Sequence, residues 1–320
     1  MMKEKLNYEL LKSLYCIHSK SGSEKRIRRF IKKWIKDNVP EAVVTQDKTG
    51  NLYITKGVAV NYPCLCAHMD QVQDFHPSDF TCVETDEVIF GYSPKMRKQC
   101  GLGADDKNGL FLALSALLEY PVLKCAFFVG EEIGCVGSSA ADIEFFLTCR
   151  FCVQIDRRGS SDMVTEISGP LCSDSFIKAA DCESWGYRES DGMMTDVEAL
   201  AEAGVSISCI NLSCGYYNPH TDCEFTHKPD LEKCWAFVCH IIEDCTAVYP
   251  FEYTKVWTRY STDFYVEDSI LYEMECYLDE APKATFRDFY DNVGCMHSDV
   301  SKDRQQMLFD FAKREFRTKK

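Results

Sequence analysis

The chain has 320 residues, 46% hydrophobic and 27% charged, with a formal net charge of −14 and a pI near 5.0. This is an ordinary globular composition, enough for one large domain or two small ones, and its acidity argues against nucleic acid or an anionic membrane as partner. No apolar stretch approaches the ~20 residues of a membrane span, and the opening "MMKEKLNYELLKSLYCIHSKSGSEK" lacks the apolar core of a signal peptide. The 19 cysteines, odd in number and irregularly spaced, read as reduced thiols of a cytoplasmic protein, most of them small core hydrophobes.

Two helices come first. "NYELLKSLYCIHS" is amphipathic. "SGSEKRIRRFIKKWIKDN" has Ser21 or Ser23 as a cap and carries Ile27, Phe30, Ile31, Trp34 and Ile35 on one face. Its basic residues would suit a membrane surface, but the apolar stripe has the width of a helix packed on a sheet. "AVVTQDKTGNLYITKG" then predicts a hairpin. Apolar runs with strand character come next, at 62–68, 123–130, 149–156 and 205–213. Helical patterns separate them at 107–120, about 137–147, near 174–180 and at 194–203. Strands alternating with helices predict an α/β fold, a mainly parallel mixed sheet between helices. Ligands of such sheets bind beyond the carboxyl ends of the strands.

The ends of these strands carry a recurring set of residues. His68 and Asp70 come after "PCLCA". Asp105 and Asp106 open the helix after "KMRKQCGLGA". Glu131 and Glu132 come after "AFFVG", Asp156 after "FCVQI", and His220 after "ISCINLSCGYYNP". A single His at a strand end is usually structural; five such deliveries to one edge point to a site. Two imidazoles with several carboxylates suit zinc, cobalt or manganese. The donors outnumber what one tetrahedral catalytic zinc needs, so two divalent ions sharing a carboxylate fit better. Adjacent glutamates in extended chain point to opposite sides, so one can bind metal while the other acts as a base.

These motifs, "CAHMDQV", "GLGADDKNGL", "FVGEEIGCVGS", "VQIDRRG" and "NPHTDCEF", in this order, resemble the co-catalytic dizinc aminopeptidases, most closely the peptidase T-like branch. The resemblance covers about residues 5–245, and "GMMTDVEALAEAGVSISCINLSCGYYNPHTDCEF" is also similar to the glutamyl- and leucyl-aminopeptidase-like branches. It implies the zinc-aminopeptidase (phosphorylase/hydrolase-like) core. It implies that His68 and Asp156 bind one metal, that Glu132 and His220 bind the second, and that Asp105 bridges them. It makes Glu131 the general base and gives Asp70 the task of orienting His68. It further implies a cis peptide bond between Asp105 and Asp106, with Asp106 accepting backbone N–H groups at the helix start.

The sequence departs from the pattern in two ways. Peptidase T-like relatives insert a lid domain between the positions of Asp156 and His220, which in this chain are only 64 positions apart (220 − 156); no independent domain fits. This puts strict tripeptide specificity and lid-mediated dimer contacts in doubt. Residues 249–320 match no motif of the family, so residues 1–248 are expected to form the catalytic domain, followed by an extension of unknown role docked on it. Its aromatic content is too high for a disordered tail, and "SKDRQQMLFDFAKREF" predicts a terminal helix.

Smaller features have ordinary explanations. "CRFC", with Cys149 and Cys152, has metal-ligand spacing, but residues three apart on a strand face opposite ways. His227 is expected to be structural or on the surface. His76 could line the cleft. Asp196 could meet a substrate amine or cap a helix. The expected activity is metal-dependent hydrolysis of peptide bonds, an aminopeptidase acting on short peptides through a dimetal-activated water. The alternatives are a deacylase of N-acyl amino acids, which needs an Arg for its substrate's carboxylate, and a non-catalytic homologue. No membrane or nucleic-acid partner is expected, and no lid domain indicates an oligomer.

Overall fold

The computed structural model describes residues 6–254 and, beyond them, 274, 277–278, 281–294, 302, 305–306, 308–310 and 312–313. The chain divides into two compact units, Met1–Lys255 and Val256–Lys320. In the second, helix α8 (Phe286–Asn292) starts with a Thr285/Asp288 capping box, and Met274, Leu278, Phe289, Phe309 and Ala312 form a small core. The described residues between 302 and 313 are helical, as expected for the terminal helix. Most of the aromatic stretch 255–280 lies outside the described residues.

The first unit is built on an eight-stranded sheet in the order β1-β2-β7-β3-β8-β11-β9-β10. These strands are β1 (Val43–Gln46), β2 (Leu52–Lys56), β3 (Tyr62–His68), β7 (Leu123–Phe128), β8 (Cys149–Arg157), β9 (Asp162–Glu166), β10 (Arg188–Asp191) and β11 (Cys209–Ser213). The central strands β7, β3, β8 and β11 run parallel, and the β1–β2 hairpin adds an antiparallel edge. Every residue of β3 and of β7 is buried, as befits strands covered on both faces. Side chains alternate accordingly: Leu65 and Ala67 belong to one core cluster, Cys64 and Cys66 to the other. The first cluster takes in helices α1 (Tyr8–Tyr15), α2 (Lys25–Asn38), α3 (Ala104–Glu119), α5 (Asp174–Ala180) and α7 (Lys228–Asp244). The second takes in α6 (Asp196–Glu202). No helix among the described residues is long and apolar enough to cross a membrane.

Four local expectations are corrected. Neither Ser21 nor Ser23 caps α2: Glu24 is the N-cap residue and supplies no side-chain cap, while Ser21 Oγ donates to Asp70 instead, at 2.7 Å. The pattern at 137–147 is not one helix but α4 (Val136–Ser139) and a 3-10 turn, Ile143–Thr148. The break comes at Asp142, which caps the second piece through Glu144 N and whose own N–H goes to Tyr53 Oη. The strand expected from 205 begins at Cys209, after Gly204 turns the chain with φ +102° and Ile207 bridges to Pro250. Finally, Cys149 and Cys152 do not face opposite ways. A register irregularity between Tyr62 and Pro63 pairs those residues with Cys149 and Phe151. The extra residue turns Cys149 to the side of Cys152, and both lie in the second core cluster.

A second, five-stranded antiparallel sheet combines β4 (Thr81–Glu84), β5 (Val88–Ser93), β6 (Lys98–Cys100), β12 (Tyr216–Tyr217) and β13 (Phe225–His227). It fixes the two loops that reach the site from outside the main sheet: residues 101–105, entering α3, and 218–224, between β12 and β13. His227, at the end of β13, has the structural role expected of it, with Nδ1 2.7 Å from Asp230 Oδ2.

Candidate functional site

His68, Asp70, Asp105, Glu131, Glu132, Asp156 and His220 gather at the carboxyl edge of the parallel strands. His68 is the last residue of β3 and is fully buried. Its Nε2 lies 3.0 Å from Asp105 Oδ1, 3.6 Å from Asp156 Oδ1 and 3.9 Å from Glu131 Oε2. His220 comes from the β12–β13 loop with φ +65°, a left-handed backbone uncommon outside glycine and found at sites whose surroundings hold it. Its Nε2 lies 3.1 Å from Glu132 Oε2 and 3.4 Å from Asp105 Oδ2. Asp105 thus presents one carboxylate oxygen to each imidazole.

Donor atoms of His68, Asp105 and Asp156 lie within 4.8 Å of one another, and so do those of Asp105, Glu132 and His220. These are two groups of three that share Asp105, the pattern expected for two ions and a bridging carboxylate. The chemistry of the donors fits such ions. Carboxylates at this density, removed from water, are costly unless paired or coordinated to metal. Burial pushes the Glu131 carboxyl up to about 10, with the Asp156, Asp196 and Asp105 charges adding to the rise. Burial likewise raises Glu132 and Asp156, each helped by the Asp105 charge. Burial would raise Asp105 too, but the His220 and His68 imidazoles outweigh it and hold its carboxyl far below the usual range. Hydrogen bonds to Asp105 and Glu132 raise His220 to about 10. In addition, Glu132 Oε1 is buried without a hydrogen-bond partner. A divalent cation in each group would answer all of these.

The supporting shell is specific. Asp70 Oδ1 lies 3.4 Å from His68 Nδ1. The same carboxylate accepts the backbone N–H groups of Glu131 (3.0 Å) and Glu132 (3.3 Å), so it ties the glutamate turn to the His68 strand. The glutamates diverge as expected, Glu131 towards His68 and Glu132 towards His220. The Asp105–Asp106 peptide bond is cis, and neither residue has helical backbone angles, so the regular helix starts at Lys107. Asp106 belongs to neither donor group. It accepts the N–H of His68 at 3.1 Å and that of Gly109 at 2.9 Å, fastening β3 to the start of α3. Two aspartates are needed because one faces the imidazoles while the other holds the turn that presents it.

Several contributors escape the motif reading. Glu224 is wholly buried and accepts three backbone N–H groups of the approach to α3: Leu102 (2.9 Å), Gly103 (2.6 Å) and Asp105 (3.1 Å). Its signal is a carboxylate between cysteine and phenylalanine in "DCEFTH", where a surface residue has no reason to sit. Tyr216 Oη donates to Asp156 Oδ1 at 3.2 Å, and Gln154 Nε2 donates to Asp156 Oδ2 at 3.0 Å. Asp196 is fully buried, held by Ser138 Oγ (2.5 Å) and Gln154 Nε2 (3.2 Å). It therefore neither caps α6, whose N-cap residue is Thr195, nor reaches the cleft. His76 lies against Phe80, with ring centres 3.7 Å apart and the rings tilted by 42°, and is not among the residues of the cleft wall.

The cleft over these residues measures about 380 Å³. Beyond the charged floor its wall includes Arg158, Asp191, Met193, Met194, Tyr216 and Pro219. Arg157 is committed to Asp162 and to the Asp191 carbonyl. The exposed Arg158 makes no ion pair with a described residue.

No protein-family model and no curated protein matches this sequence. Solved structures do match. The aminopeptidase PepT of Bacillus cereus is 18% identical, with 75% of this chain and 99% of that one covered, at a TM-score of 0.61. A tripeptidase of Staphylococcus aureus is 16% identical over 76% of this chain and 99% of its own, at 0.59. An aminopeptidase of the archaeon Desulfurococcus kamchatkensis is 15% identical over 73% and 94%, at 0.57. The chain has the fold of these peptidase structures, which is the fold the sequence motifs imply.

Proposed function

We propose that this chain is a metal-dependent peptidase of the co-catalytic dizinc type, an aminopeptidase acting on short peptides in the cytoplasm. The observation that carries the reading is Asp105, whose two carboxylate oxygens face His68 and His220 across two three-residue groups. In this reading His68, Asp105 and Asp156 hold one divalent cation and Asp105, Glu132 and His220 the other, zinc before cobalt or manganese. Bound there, the cations would lower the pKa of an attacking water and polarise the scissile carbonyl. Glu131, buried with its Oε2 3.9 Å from His68 Nε2, would take the proton from the attacking water and return it to the leaving amine. Asp70 keeps His68 and the glutamate turn in register. The acidic floor would attract a free peptide ammonium, and Arg158 on the wall would take a carboxylate.

Residues 1–248 carry this chemistry in our reading, with 249–320 as an extension. The segment between Asp156 and His220 supplies strands and helices of the same unit and no lid. All 17 described cysteines are free, which suits a reducing compartment. Arg158 also favours a second reading, a deacylase of N-acyl amino acids, because that substrate presents a carboxylate and no ammonium. One panel separates them: free and N-acetylated di- and tripeptides, assayed with added zinc, cobalt or manganese, alongside metal analysis. We expect two ions per chain and hydrolysis of free peptides. Cleavage confined to N-acyl substrates would favour the deacylase, and a folded, metal-loaded chain inert to both sets would refute hydrolysis.

A further inference from the structure

The sheet face away from α3 carries an unusual concentration of thiols. Cys64 and Cys66 lie on β3, Cys149 and Cys152 on β8, and Cys209 on β11, all buried in one core cluster. Cys152 stands at the centre, paired in register with Cys64 on one side and Cys209 on the other. The sulfurs of Cys64, Cys66 and Cys152 lie within 4.8 Å of one another. A metal–sulfur bond of ~2.3 Å places three sulfurs of a trigonal site about 4 Å apart, so these three could close on one ion with small side-chain adjustments. The neighbouring Lys124, in register with Cys64 and 7% exposed, is a buried cation beside them. It would offset the negative charge of a thiolate complex.

We propose that Cys64, Cys66 and Cys152 form a soft-metal site, separate from the cleft, that holds one Cu(I) ion through three thiolates. Thiolate ligands select soft ions. The group has three sulfurs and no imidazole or carboxylate, whereas structural zinc takes four ligands. The two donor groups on the cleft floor offer only nitrogen and oxygen, so they and the thiol group differ in ligand softness. Uptake needs no redox step: Cu(I) replaces the thiol protons, which leave to solvent. Entry would pass by Cys149, beside the three fully buried ligands. Cys149 lines an apolar pocket of about 240 Å³ together with Phe146, Leu147, Val205 and Val248, and its thiol lies within hydrogen-bonding reach of that of Cys64.

The test uses the full chain under anaerobic, reducing conditions. Cys16, Cys82, Cys223, Cys276 and Cys295 are replaced by alanine to remove exposed, partly exposed and undescribed thiols. Cu(I) is then titrated in competition with bicinchoninate. We expect one tightly held Cu(I) per chain, and X-ray absorption showing sulfur neighbours only. In that background Cys152→Ala should weaken binding more than about 100-fold, beyond the usual loss from an outer-shell change. Cys209→Ala, the same truncation one strand away, should keep the ion. Should Cys152→Ala fail to fold, absorption on the parent chain still decides. Nitrogen or oxygen neighbours, no Cu(I) retained against the competitor, or equal loss in Cys152→Ala and Cys209→Ala would each overturn the proposal and leave these cysteines as core filling.

Discussion

Replacing Gly109 by alanine sets two known effects against each other. Gly109 lies inside α3, where alanine favours the helix by about 0.8–1.0 kcal/mol. The surroundings oppose it. A Cβ at this position would lie 2.5 Å from the backbone oxygen of Ile155 and 2.5 and 2.6 Å from the two carboxylate oxygens of Asp106. Ordinary contact starts near 3.4 Å, so something must retreat by about 0.9 Å (3.4 − 2.5). If the helix retreats from β8, the core is overpacked at a cost of about 1–3 kcal/mol. If Asp106 swings away, the buried N–H groups of His68 and Gly109 lose their acceptor, at about 1–3 kcal/mol each. Net of the helical gain, the first route costs up to about 2 kcal/mol and the second about 1–5 kcal/mol. At about 2–4 °C per kcal/mol for a unit of this size, the melting temperature should fall, by up to about 8 °C on the first route and by roughly 2–20 °C on the second. The retreat also separates Asp105 from Asp156, so metal retention and turnover should fall together, since an error of ~1 Å can cost ~10²-fold in rate. Thermal and urea melts with metal analysis check this. A Gly109→Ala chain as stable as wild type, with unchanged metal content, would show that helix propensity decides and that the close approach of α3 to β8 is not required.

The same geometry yields three further outcomes. Glu131→Gln should keep both metals and the fold but lose about 10²–10⁴-fold in turnover, whereas Glu132→Gln should lose the metal on the His220 side; exchanged phenotypes in metal analysis and kinetics would reverse the assignment. Asp70→Asn places an amide NH₂ against backbone donors it cannot satisfy and should weaken metal affinity about 10–100-fold, read by competition with a chelator; unchanged affinity would mean that the His68 strand and the glutamate turn hold their places without it. Burial, assisted by the Lys107 charge, lowers His76 to about 3, so the fold keeps it neutral while the unfolded chain protonates below its ordinary value near 6.5. Its contribution is therefore intact above pH 6.5 and is lost as the pH falls towards 3, and His76→Phe, which keeps an aromatic ring against Phe80, should flatten the fall in urea midpoint over that window; an unaltered slope would remove His76 as a source of acid sensitivity.

What the sequence discloses here depends on the range of the interaction. The alternation of apolar runs with helical patterns places β3, β7 and β8 within a few residues, because each strand is buried on both faces and announces itself by composition alone. The parallel topology then fixes which end of each strand points to the ligand edge, so His68, Glu131, Glu132 and Asp156 can be located without coordinates. Asp105 and His220 arrive on loops whose course is set by the small antiparallel sheet. Its short strands, such as Lys98–Cys100 and Phe225–His227, are too brief to show a period of two, so this sheet is not legible in the sequence. Both stand out in the sequence among the His and carboxylate positions between the strands, and the family motifs assign their roles.

The residues that stay hidden share one property: their function is defined by a partner distant in the chain. Glu224 has no role that its neighbours in the chain define; Leu102, Gly103 and Asp105 give it one as three backbone donors. Ser21 reads as a helix cap until Asp70 outcompetes the α2 N-terminus for its hydroxyl. The face of Cys149 is decided by an irregularity opposite Tyr62 and Pro63, which no local rule places. In each case the local rule names a group that needs a partner, and tertiary packing offers a better one than the neighbouring chain does. The acidic floor obeys the same logic in reverse. Its carboxylates converge from separate loops with only two imidazoles among them. The other cations lining the cleft are Arg157, which is committed to Asp162, and Arg158 on the wall, so in the proposed reading it is divalent ions that complete the charge balance of the floor.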